Sequence, residues 1–186
     1  MSNLPDLAQE NKKDEIVYAL QNGGDVNQQD WQRKTALYWA CVRNYTEIVE
    51  MLMQNNKINV NLQNSSGWSP FSYACWNDKY ESVVLMLQDP RVDVNLVNSY
   101  GWSPLMRVCY SGYTKIVELL FSSGRYVDLH KKSIKDDYPI KSRSTALDLA
   151  KERNKTDIMQ LLEQYQNNKT ETQKTLRNQL NLKGKK

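Results

Sequence analysis

Apolar positions in this chain come in paired helical sets, and the pairs recur. Behind Thr35, the residues Leu37, Ala40 and Cys41 keep helical spacing; beyond Asn44, so do Ile48, Val49 and Leu52. Later second sets stand at Val83, Val84 and Met86, at Ile116, Val117 and Leu120, and at Ile158, Met159 and Leu161. Each pair predicts a helix, a tight reversal and a second helix. The reversals fall on Asn44, Asp78, Gly112 and Asn154, residue types that tolerate the left-handed backbone that ends a helix. The Thr35 hydroxyl is placed to cap orphan amides of the first turn.

Between the pairs the pattern changes to alternation. Asn56-Lys57-Ile58-Asn59-Val60-Asn61 and Arg91-Val92-Asp93-Val94-Asn95 read as short extended arms. Asn64-Ser65-Ser66-Gly67 and Asn98-Ser99-Tyr100-Gly101 follow, with the Asn and Gly of a type I turn. Asp30-Trp31-Gln32-Arg33 has arginine where glycine belongs, so the first tip is expected to bend differently. Thr35-Ala36-Leu37 returns as Ser69-Pro70-Phe71, Ser103-Pro104-Leu105 and Thr145-Ala146-Leu147, at steps of 34, 34 and 42 residues. A period of this length means stacked supersecondary units.

These residues resemble the ankyrin repeat. Ser69-Pro70-Phe71, Ser103-Pro104-Leu105, Glu47-Ile48-Val49 and Gly23-Gly24-Asp25-Val26-Asn27 stand at positions of the family pattern, and Leu7-Ala8 with Glu15-Ile16-Val17 fall in register as a degenerate opening unit. The resemblance implies an all-α repeat solenoid of helix-turn-helix units with short β-hairpin-like tips. The repeat domain is expected over 1–166, as an N-cap (1–29), units 30–63 and 64–97, a unit 98–140 with an inserted loop, and a C-cap (141–166). The family histidine is replaced by Tyr38, Ser72, Met106 and Asp148, and Arg107-Val108 stands in place of an apolar-plus-small pair. That substitution predicts disturbed packing in the fourth unit, because overfilling a core destabilises it.

Composition sharpens the picture at the ends. The net charge of +4 is concentrated after residue 166, where Lys169, Lys174, Arg177, Lys183, Lys185 and Lys186 face one acid, Glu171. Residues 167–186 are expected to be a basic, disordered tail, with one short amphipathic helix around Leu176 and Leu180 as the alternative. No secretory signal or long apolar run is present, so the expected compartment is the cytoplasm, with the nucleus second. Cys41, Cys75 and Cys109 share one repeat position and are expected as free thiols that pack as small hydrophobes.

The chemistry of catalysis is missing. Neither Gly-x-x-x-x-Gly-Lys nor Gly-x-Gly-x-x-Gly occurs, and the sole histidine, His130, sits beside Lys131 and Lys132 in the insertion over 125–144. We therefore expect no enzyme, no catalytic residue, no cofactor, no metal and no small-molecule substrate. The resemblance implies instead a protein partner held on the concave face and tips, by a monomeric adaptor or regulator. Its variable positions map to Trp31, Gln32, Lys34, Ser65, Trp68, Trp76, Tyr100, Trp102 and Tyr110, with Trp68, Trp76, Trp102 and Tyr110 as the expected centre. Aromatic residues favour such a role because they bring large area at low entropy cost. Trp68 and Trp102 have an equally good structural use, packing beside the tip glycine. The rival function is contact of the tail, Lys169–Lys186, with nucleic acid or an acidic membrane.

Overall fold

The computed structural model describes residues 3–134 and 142–180. The middle of the expected insertion, Lys135–Lys141, and the tail lysines Lys183, Lys185 and Lys186 lie outside the described residues. The chain divides into two compact units, residues 1–99 and 100–186.

The first unit holds three helix pairs: α1 (Leu4–Gln9) with α2 (Lys13–Gln21), α3 (Ala36–Arg43) with α4 (Thr46–Met53), and α5 (Pro70–Trp76) with α6 (Tyr80–Leu87). First helices pack on first helices, α1 on α3 and α3 on α5, while α4 packs on α6. Every pair starts on a cap. Asn3, Thr35 and Ser69 accept from the amides of Asp6, Tyr38 and Ser72, three residues ahead of each. Leu37, Ile48, Leu52, Phe71, Val83 and Met86 form the core and are essentially inaccessible to water. Each such side chain contributes roughly 1.5–3 kcal/mol.

The second unit holds α7 (Pro104–Ser111) with α8 (Thr114–Ser122), α9 (Ala146–Glu152) with α10 (Thr156–Asn167), and α11 (Lys169–Gln179). Ser103 and Thr145 cap α7 and α9 as the earlier residues do. The reversals fall where the pattern puts them: Asn44, Asp78, Gly112 and Asn154 all have positive φ, between 52° and 87°.

Four expectations change. The first tip does not bend differently. Arg33 takes φ 60°, as Gly67 takes 80° and Gly101 78°, and its amide closes on Asp30 O at 2.8 Å. Asp30 helps hold the turn, since its Oδ1 accepts from the amides of Gln32 and Lys34, both at 2.9 Å.

The described flanks of the insertion close as a tip does, and they shift one boundary. Ser133 N donates to Ser144 O at 3.1 Å and Arg143 N to Ser133 O at 2.8 Å, repeating Asn64 N to Trp68 O and Gly67 N to Asn64 O. Arg143, at φ 69°, therefore stands where Gly67 does. The closure between Ser133 and Arg143–Ser144 thus brackets position 141, where the last unit was expected to begin.

The tail from Lys169 to Gln179 is helical rather than disordered. Leu176 is buried, α11 packs on α8 and α10, and Asn168 caps it through Glu171 N at 3.3 Å. One buried leucine and a cap were enough to order a polar segment that has a surface to lie on.

The tips form no hairpins among the described residues, where the isolated bridge Gln29↔Thr35 is the β-pairing found. Side-chain amides take over that role. Asn27 Oδ1 accepts from Asn59 N at 2.7 Å while its Nδ2 donates to Lys57 O at 2.9 Å. Asn61 does the same with Asp93 N at 2.9 Å and Arg91 O at 2.8 Å. Each carboxamide imitates a peptide group of a neighbouring strand, so these asparagines link successive repeats.

Candidate interaction faces

In the first unit, the first helices and the tips before them gather five aromatic rings. Trp39 meets Tyr38 at 6.0 Å between centroids, Tyr38 meets Tyr73 at 4.9 Å, Tyr73 meets Trp76 at 5.0 Å, and Trp76 meets Trp68 at 5.0 Å. The inner rings are structural. Tyr38 and Trp68 are buried, and Asn64 Nδ2 donates to the Tyr38 hydroxyl at 3.1 Å. Burial pushes the Tyr38 phenol well above its ordinary value. Trp39, Tyr73 and Trp76 are half-buried and present ring edges or faces to solvent.

The outer end of this row carries charge. Lys34 Nζ lies over the Trp39 ring at 4.2 Å and over the Tyr38 ring at 5.6 Å, and donates to Gln32 Oε1 at 2.8 Å. Trp39 Nε1 donates to Asp30 Oδ2 at 3.0 Å. Trp31 stands at the tip, 88% exposed, the most exposed of the large apolar side chains among the described residues. Ser65, in the next tip, donates from both N and Oγ to Gln32 O at 2.9 Å, tying one tip to the next. Gly67 permits the same approach further on, because a Cβ there would meet Ser99 N at 2.6 Å.

In the second unit, Trp102 is buried, 1% exposed, with its ring 5.6 Å from that of half-buried Tyr110. Guanidinium groups flank them: Arg107 lies 5.2 Å from the Trp102 ring and 5.8 Å from Tyr110, and Arg153 lies 4.7 Å from Tyr110. The fourth repeat accommodates Arg107 against aromatic rings. Arg107 lays its planar group on two rings, and Val108 takes the core position with no exposed surface. Tyr100 is 40% exposed, and its carbonyl accepts from Ile134 N at 2.9 Å.

The expected site residues thus divide. Trp31, Ser65 and Tyr100 are exposed; Gln32, Lys34, Trp76 and Tyr110 are half-buried. Trp68 and Trp102 are corrected to core residues, since a tryptophan after the tip glycine folds back over its own first helix. Sequence reasoning passed over Trp39 and Tyr73. A signal existed, because both stand four residues past the cap, the position that Arg107 also fills.

Elsewhere the chemistry is sparse. Cys41, Cys75 and Cys109 are free and buried, and burial pushes their thiols well above the ordinary value. Among the described residues, no group of three or more His, Cys, Asp or Glu could hold a metal ion, and no helix is long and apolar enough to cross a membrane.

Within each unit, helix pairs stacked through their first helices, with capped starts, define a repeat protein. The chain belongs to the ankyrin-repeat family: the family model "Ankyrin repeats (3 copies)" matches residues 6–98 and 85–173. Such repeats generally mediate protein–protein interaction, and the family is non-catalytic. Among curated proteins, the chain is similar to the 26S proteasome non-ATPase regulatory subunit 10 of Rattus norvegicus, 40% identical over 73 residues, which is 38% of this chain and 31% of that protein. The Homo sapiens protein of the same name is 49% identical over 41 residues, 22% of this chain and 18% of its own length. The chain thus spans less than a third of the length of these curated relatives.

Proposed function

We propose that this protein is a non-catalytic adaptor or regulator, a cytoplasmic monomer that binds a protein partner through the first-helix and tip face of its repeats. In the first unit Trp31, Gln32, Lys34, Ser65 and Trp76 form the contact surface, with Trp39 and Tyr73 added; in the second unit Tyr100 and Tyr110 are the candidates. The observation that carries this reading is Trp31. A tryptophan left 88% exposed beside a cation held on a second indole is a large anchor without a core role. The regulatory, non-ATPase naming of the relatives agrees with it. The tail is a weaker candidate for the contact, because Arg177 donates to Ser122 O and Lys169 lies over the Tyr126 and Tyr165 rings.

A photo-cross-linking amino acid placed singly at Trp31, Ser66 and Asn77, and for comparison at Glu50 and Gln88 on the second helices, tests the reading in host cells. Cross-links to another protein are expected from the first group. Cross-links confined to the second group would overturn it.

A further inference from the structure

We infer that the α3–α5 face of the first unit takes an extended acidic peptide segment carrying one apolar side chain. Lys34, Arg33 and Arg43 receive the carboxylates, and Trp31 receives the apolar group. This inference rests on the proposed protein-binding role and names the partner's chemistry.

Charge is sorted between the helix layers of the α3–α4 and α5–α6 pairs, although Lys13 of α2 pairs with Glu47 at 2.8 Å. The second helices α4 and α6 carry Glu47, Glu50 and Glu81 and no lysine or arginine. On α3, α5 and the tips before them stand Arg33, Lys34 and Arg43 against one acid, Asp30. That acid is spent inside the tip. Its Oδ1 accepts from Gln32 N and Lys34 N at 2.9 Å, and its Oδ2 from Trp39 Nε1 at 3.0 Å. Arg33 and Arg43 are exposed. Lys34 is held over two rings, so its side chain is ordered before any partner arrives and loses less entropy on binding. A partner of opposite charge is steered to such a face and away from the acidic second helices.

Aromatic rings beside cations also suit single-stranded nucleic acid, but the rings here are poorly open for stacking. Base stacking needs free ring faces. Tyr38 and Trp68 are buried, and the Trp39 face is covered by Lys34. Tyr73 and Trp76 are half-buried with their rings in contact, which leaves Trp31 as the one exposed ring on this side among the described residues. One exposed anchor with one ordered lysine and two exposed arginines fits a peptide with one apolar side chain among acids.

The test pans a random twelve-residue displayed peptide library on the full-length protein and measures selected peptides by fluorescence anisotropy, with a twelve-nucleotide uridine RNA alongside. Selected peptides should be rich in Asp and Glu around one aromatic or aliphatic residue. Their affinity should fall by about tenfold or more with W31A, and likewise with the triple variant R33E/K34E/R43E, as removal of an anchor or of complementary charge entails. The triple variant should instead select basic peptides. All altered positions are exposed or half-buried, and urea unfolding checks that each variant stays folded. Binders without acidic enrichment, or unaffected by the triple variant, would overturn the inference and leave the protein-binding role standing. RNA bound more tightly than any peptide would also overturn it. A library that yields no binder would sink both readings.

Discussion

Arg177 donates from Nε to the backbone carbonyl of Ser122 at 2.7 Å, so a cation from α11 sits on the C-terminal end of α8. That end carries the negative pole of the helix and carbonyls without intrahelical partners. Leu176, next in the chain, is buried on the same helix. Behind it, Phe121 and Tyr165 stack at 3.9 Å between centroids.

The C-terminal helix is therefore part of the second unit's stability. Removing residues 168–186 should lower the urea midpoint, and Leu176→Ala alone should cost about 2–3 kcal/mol. Arg177→Ala should cost less, about 0.3–1 kcal/mol, because the guanidinium is largely in water. A midpoint unchanged on truncation would show that α11 adds nothing.

Two tip tryptophans should behave oppositely. Trp68 is 6% exposed and Trp31 88%. Trp68→Ala is expected to destabilise the fold by about 3–5 kcal/mol. Trp31→Ala is expected within about 0.5 kcal/mol of wild type, as for exposed substitutions generally. Chemical denaturation followed by far-ultraviolet circular dichroism measures both.

Arg33 pays for the first tip with a left-handed backbone at φ 60°, where its equivalents include Gly67. A non-glycine residue there is strained by about 1–2 kcal/mol. Glycine removes the strain but frees the unfolded chain, so Arg33→Gly should stabilise by only about 0.5–1 kcal/mol. The same change removes one cation of the inferred peptide site. A variant that gains stability while losing acidic-peptide affinity would show that the strain is kept for binding.

The buried thiols give the fold an alkaline limit. Burial raises the thiol pKa of Cys41, Cys75 and Cys109 in the folded protein. Their stabilisation is whole below the unfolded value, roughly 8.5, and is lost as pH rises above it, because the unfolded chain then releases protons the folded chain keeps. The expected slope is about 1.4 kcal/mol per pH unit per thiol. Unfolding midpoints between pH 7 and 10 should fall in wild type and less in C41A/C75A. A disulfide-exchange reagent should label none of the three before unfolding.

Much of the fold was readable because a repeat states its rules several times. Thr35, Ser69, Ser103 and Thr145 each begin a helix, and Asn44, Asp78, Gly112 and Asn154 each end one, through bonds made within a few residues. Local geometry of that kind is fixed by residue type and spacing. What lay beyond reach depends on neighbours distant in the chain. Asn61 ends an arm and Asn27 stands at a position of the repeat pattern, yet their carboxamides pair with arms thirty or more positions away. Trp31 and Trp68 look alike as tip aromatics, and only the fold shows that the ring after the left-handed residue, Trp68, is covered by its neighbours while the ring before it, Trp31, is not. The tail looked too polar to order, and α8 with α10 supplied the apolar surface that Leu176 needed. Sequence determined the repeat, its caps and its reversals, which are short-range hydrogen-bond and backbone preferences. Tertiary structure decided burial, because the area a side chain loses to water is set by whatever packs against it.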